Sequence, residues 1–203
     1  MIKNPKIKEK SIFALLLLIN VAFILPSNGQ DKYTIEPDNS AITCSVGYLV
    51  ATKLKGEFKD FSGVIHYNPK DITKSSVFIK IKTASIETKK PFINRLIRSK
   101  RMLNSKLHPE ITFAGKSVTQ KKGKYYIKGI LDLHGIKQEV SFAFTIKEFA
   151  EKKSRISHLI SKGSCFVNRK KFKVVWSKLF DKGGLLVRNN ILIQWNITAV
   201  PEK

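Results

Sequence analysis

The chain has 203 residues, a formal net charge of +23, and 42% hydrophobic against 26% charged residues. That apolar share excludes a disordered polybasic tail, and two cysteines exclude a disulfide-dense scaffold or a four-cysteine zinc module. Only six of the 38 basic residues are Arg (Arg95, Arg98, Arg101, Arg155, Arg169 and Arg188), a balance that weighs against nucleic acid, whose readers favour bidentate Arg contacts.

The amino terminus reads as an export signal. Lys3, Lys6, Lys8 and Lys10 precede an uncharged apolar run over residues 11–25, and Pro26-Ser27-Asn28-Gly29-Gln30 follows. A basic start, an apolar middle and small residues at the cut form the pattern of a secretory signal peptide. Cleavage before Gln30 would place Ser27 and Gly29 at positions −3 and −1. The expectation is a signal peptide over 1–29, one domain over 30–203, and a periplasmic or secreted location. An uncleaved anchor is the alternative, but the last five of the 20 uncharged residues are turn-formers. Removing residues 1–29 leaves a net charge of +20.

The rest of the chain reads as short strands, about eight in all. Period-two alternation predicts strands over 41–49, 53–61, 63–67 and 75–86. In the last, Val77, Ile79 and Ile81 share one face, with Lys80 and Lys82 on the other. Residues 88–108 have spacing closer to helical, with Leu96, Ile97, Met102, Leu103 and Leu107 among basic residues, and Pro109 is expected to stop the helix. Strands follow over 111–119 and 125–133, where Ile127 and Leu131 face one way and Lys128 the other. Lys122-Gly123 marks the hairpin between these two strands. His134-Gly135 marks a second hairpin corner, a more ordinary role for His134 than a catalytic one. Val140, Phe142, Phe144 and Ile146 alternate with Lys147 and other residues, 157–168 forms a further strand, and Asp181–Gly184 a turn. Ile191, Ile193, Trp195 and Ile197 alternate at the end. Many short strands with one helical interruption indicate an antiparallel barrel or sandwich, and a barrel removes open edges.

The search for chemistry returns little. His66, His108, His134 and His158 form no metal-ligand spacing, no nucleophile or phosphate-loop motif occurs, and the acidic residues are not paired for hydrolysis. No enzyme activity, metal or cofactor is signalled. Cys44 and Cys165 lie in strands and admit two readings, a disulfide in an oxidising compartment or two small buried apolar side chains.

Specific stretches then resemble the YceI-like family: YTIEPDNSAITCSV at 33–46, LKGEFKDFSGVIHYNP at 54–69, SSVFIKIKTASIET at 75–88, HPEITFAG at 108–115, YYIKGILDLHGIKQEVSFAF at 125–144 and VNRKKF at 167–172. The chain departs from the family pattern at Asn39, at Cys44 and over 93–97. The resemblance implies an all-β, lipocalin-like, eight-stranded antiparallel barrel with a short helical insertion, holding a polyisoprenoid or other long-chain lipid in its lumen. The expected inward, ligand-binding set is Ile42, Cys44, Val46 and Phe58 from the first strands, Ile79 and Ile81, then Phe113, Ile127 and Leu131, and finally Phe142, Phe144, Ile193 and Trp195. The competing expectation is a filled core with a basic outer face that meets a membrane surface or a partner. The partners left open are an isoprenoid or fatty lipid, an anionic membrane surface and a second copy of the chain.

Overall fold

The computed structural model describes residues 30–48, 52–150, 157–175 and 187–202. The expected signal peptide over 1–29 and the expected turn at Asp181–Gly184 lie outside the described residues. Among the described residues, eleven strands form one antiparallel sheet: β1 (Asp31–Ile35), β2 (Ala41–Tyr48), β3 (Thr52–Phe58), β4 (Phe61–Tyr67), β5 (Ser76–Lys82), β6 (Ile86–Glu87), β7 (Glu110–Lys121), β8 (Lys124–Leu133), β9 (Ile136–Ala150), β10 (Ser157–Asn168) and β11 (Asn190–Pro201). A helix, α1 (Pro91–Arg98), lies between β6 and β7.

The eleven strands occupy eight positions around a closed barrel. β1 and β2 are successive parts of one position, as are β3 with β4 and β5 with β6. β1 pairs with β4 while β2 pairs with β3, so residues 31–67 make one long, bent hairpin. β11 pairs with β2 through its first half and with β1 through its last residues, and this closes the ring. β1 was not among the expected strands. Its five residues carry too little alternation to stand out, yet only they reach the end of β11.

The three divided positions break side by side. A 3-10 turn at Pro37–Asn39 separates β1 from β2, Lys59 and Asp60 separate β3 from β4, and a 3-10 turn at Thr83–Ser85 separates β5 from β6. Substitute hydrogen bonds hold the break. The Thr198 amide donates to Ser40 Oγ at 2.9 Å, the Lys59 amide to the Ser85 carbonyl at 3.2 Å, and the Lys82 amide to the Asp60 carbonyl at 2.9 Å. Backbone groups cannot be left unpaired when a ladder stops, and these bonds answer that need.

Both expected hairpin corners are present as two-residue turns. Lys122 and Gly123 have φ of 48° and 73°, and His134 and Gly135 have φ of 58° and 72°. Two positive φ values define the turn whose twist matches that of paired strands. A bulge at Lys116 shifts the β7–β8 register between Gly115 and Ser117. It turns Val118 inward, where strict alternation would place Ser117.

The helical segment is shorter than its spacing suggests. α1 begins with Pro91 in its first turn and ends at Arg98, well before Pro109. Ser99 leaves the helical conformation (ψ 163°) and its hydroxyl donates to the Leu96 carbonyl at 2.7 Å. Residues 99–107 continue as turns, with Asn104 at φ 48°. A short polar side chain that captures a nearby carbonyl competes with the helix in this way.

Candidate functional site

The inward faces of the barrel enclose apolar space in two chambers. The first is a cavity of about 180 Å³ walled by Ile79, Phe113, Ile127, Phe142, Phe144 and Trp195, together with Ile35, Ile65, Val77, Val118, Val140, Ile146, Cys165 and Ile197. The second, of about 170 Å³, is walled by Cys44, Val46 and Phe58 with Leu54, Ile86, Ile111 and Leu133, and is covered by Ile97, Met102 and Leu103 from the helical segment. Ile42, Ile81, Leu131, Val167 and Ile193 border both chambers and form the waist between them. All thirteen side chains expected to face inward therefore stand on the wall of one chamber or the other.

Aromatic rings in mutual contact line the first chamber. The ring centroids of Phe113 and Phe142 are 4.9 Å apart, and Phe142 meets Trp195 edge-on at 5.1 Å. These three side chains come from β7, β9 and β11. Gly163 on β10 lies directly opposite Trp195 in the ladder, and a β-carbon there would overlap the indole. Gly163 thus makes the room that the indole fills.

Polar groups on the walls are few. Ser75, Ser76, Ser141 and Ser161 border the first chamber, and Ser45, Thr88 and Arg169 border the second. Arg169 is buried and donates to the backbone carbonyls of Val174, Val187 and Arg188. These bonds tie the end of β10 to the approach to β11. Burial raises both cysteine thiols to about 11. Cys44 and Cys165 are each paired with Ile193, from opposite sides of β11. Two strand spacings put their α-carbons about 10 Å apart, beyond the roughly 7 Å a disulfide spans. Both are free, so the bridge left open by the sequence does not form.

The wall has a lateral gap. Among the described residues, β9 pairs with β10 only from Phe144 to Ala150, and beyond Gly163 β10 pairs only with β11. Val140, Ser141 and Phe142 flank the gap on one side, and Cys165, Phe166 and Val167 on the other, and all six border the first chamber. Ser141 is exposed and Phe166 is 71% exposed at the rim of this gap. At the far end of the gap His134, at the β8–β9 corner, hydrogen-bonds the Phe172 backbone just after β10. Among the described residues its Nε2 is buried without a hydrogen-bond partner. The His108 ring packs on it with centroids 4.3 Å apart. Burial first, and His108 second, lower the His134 pKa.

Sequence reasoning missed part of this site. Val77, Val140, Ile146 and Ile197 were legible in the alternation, but Val118 depends on a bulge, and Ile97, Met102 and Leu103 on how the helical segment folds back. The gap left no signal in the sequence, because it arises from the register between β9 and β10. Among the described residues, no three His, Cys, Asp or Glu side chains gather where a metal could be held.

A closed antiparallel barrel of eight positions whose described inward faces are apolar is a lipocalin-like fold. Residues 33–199 match the model of the YceI-like domain, and the chain belongs to that family. It is similar to the UPF0312 protein of Vibrio campbellii, at 30% identity over 136 residues, covering 66% of this chain and 71% of that protein. The fold is also that of Burkholderia cenocepacia BcnA, with a TM-score of 0.71 at 20% identity over 81% of this chain and 98% of the other. A polyisoprenoid binding domain from Saccharophagus degradans superimposes with a TM-score of 0.66 at 11% identity, over 84% of this chain and 98% of that domain.

Proposed function

We propose that this protein is an exported carrier that holds a polyisoprenoid or similar long-chain amphiphile in the barrel lumen. The observation that carries this reading is the pair of apolar chambers meeting at a waist with a side opening. A filled core would leave no such space. The structural likeness to a polyisoprenoid binding domain supports the same ligand class, and the basic start and apolar run of residues 1–25 support export.

The physical chemistry is sufficient without a catalytic group. Each buried methylene contributes about 0.8 kcal/mol, so a five-carbon isoprene unit contributes roughly 3–4 kcal/mol before losses. Net gains near 0.3 kcal/mol per atom would still bring a ~40-carbon chain to about nanomolar affinity. The two chambers together reach only the lower end of the usual pocket range of about 300–1,000 Å³. That size favours a slender chain threaded past the waist over a fused-ring ligand. In this reading the thirteen wall residues grip the tail, and the tail enters through the β9–β10 gap beside Ser141 and Phe166.

Titration with a fluorescent isoprenoid tests the proposal. Saturable binding at one site, with a change in Trp195 emission, is the expected result. Binding that is weak, unsaturable or silent at Trp195 would remove the lumen as the site.

A further inference from the structure

We infer that the segment from Lys89 to Leu107, which caps one end of the barrel, is a docking surface for an anionic lipid bilayer. The lysines on the barrel wall are the more obvious source of such an attraction, but several of them are already neutralised. Lys80 and Lys82 both pair with Glu110, and Lys128 pairs with Glu139. The cap differs in three ways.

Its charge is of one sign. Lys89, Lys90, Arg95, Lys100, Arg101 and Lys106 are all exposed, and no acidic residue occurs anywhere between Thr88 and Pro109. None of the six makes an ion pair among the described residues. Half of the chain's arginines fall in this one stretch.

The cap also exposes apolar side chains within that charge. Phe92 is 63% exposed and Leu107 69%. Phe92 and Arg95 stand three residues apart on α1, hence on one face of the helix. Basic residues around outward-facing Phe and Leu match the two forces that hold a protein at a bilayer, attraction to anionic headgroups and shallow apolar insertion.

Finally, the inner side of the cap is anchored. Met102 is buried, Ile97 and Leu103 cover the second chamber, and Arg98 donates to the Ile86 carbonyl at 2.6 Å. A bilayer contact made by Phe92 would therefore be transmitted to the roof of the lumen rather than to a loose loop. The β7–β8 corner at Lys121–Lys124 carries a similar local charge at the opposite end of the barrel, but none of its own four residues has a large apolar side chain.

The test uses the full-length protein and vesicles of phosphatidylcholine with or without phosphatidylglycerol. Phe92→Trp should give a blue-shifted emission component, quenched by brominated lipid, with anionic vesicles only. Neutralising Arg95, Lys100 and Arg101 to Gln should weaken the anionic-vesicle affinity about a hundredfold. Neutralising Lys121, Lys122 and Lys124 to Gln should leave it nearly unchanged. Equal loss in both triple variants would mean that net charge alone acts, and would overturn the inference. So would an unshifted emission from the Phe92→Trp variant, or heparin binding as tight as vesicle binding with that emission unchanged. Because the Phe92→Trp emission is local to the cap, that readout is independent of whether the lumen holds a lipid and of any membrane affinity of residues 11–25.

Discussion

Cys44 and Cys165 face the lumen on either side of Ile193, one on each chamber and neither able to reach the other. Burial holds both thiols near 11, so the thiolate is scarce at neutral pH and reactivity is low. We expect both cysteines to stay reduced in air and to label slowly with maleimide at about pH 7, as read by intact mass. Bound lipid should slow the labelling further. A species two mass units lighter that regains two thiols on reduction would contradict the strand order.

Gly163 and Trp195 make a second sharp expectation. Gly163→Ala places a methyl group in the indole, and Phe142 blocks the ring's retreat. Overpacking of this kind costs about 1–3 kcal/mol. Thermal melting should fall by several degrees, and isoprenoid binding should weaken with it. An unchanged melting temperature would show that the ring moves freely.

The β9–β10 gap predicts a kinetic effect. Ser141→Trp fills an exposed position at its rim and should slow lipid uptake at least several-fold in stopped-flow measurements, with little loss of stability. Entry through an end of the barrel would leave the uptake rate unaltered.

The His108–His134 contact predicts a pH dependence. Burial and the neighbouring ring favour neutral His134, so its pKa in the folded protein lies below its unfolded value near 6.5. Below that value the unfolded chain takes up more protons than the folded one. The contribution is therefore complete above about pH 6.5 and is lost as the pH falls through the folded pKa. Melting temperature should decline as the pH falls below about 6.5. His134→Asn, which tolerates the positive φ, should flatten that decline. An identical profile in the variant would place the titrating group elsewhere.

How far the sequence reached depended on the range of the interaction. Alternation is a local property, and it placed Ile79, Ile127, Phe142, Ile193 and their companions on the lumen wall because β-strands repeat every two residues. Hairpin corners were equally local, as at His134-Gly135. β1 escaped notice because its closing role is visible only once β11 comes around to meet it. The helix over 91–98 was shorter than its spacing implied because Ser99 captures a carbonyl that spacing alone does not reveal. Ring closure, the waist at Ile81 and Ile193, and the gap at Ser141 arise from register between distant strands, which no single stretch of sequence encodes. Ligand residence in the lumen is a further step that neither alternation nor register decides.

The central claim is that the lumen carries a lipid, and native extraction tests it most directly. Protein purified without detergent should release, into organic solvent, about one equivalent of a long-chain lipid identified by mass spectrometry. A protein that yields no lipid, and that takes up no added isoprenoid, would contradict the account.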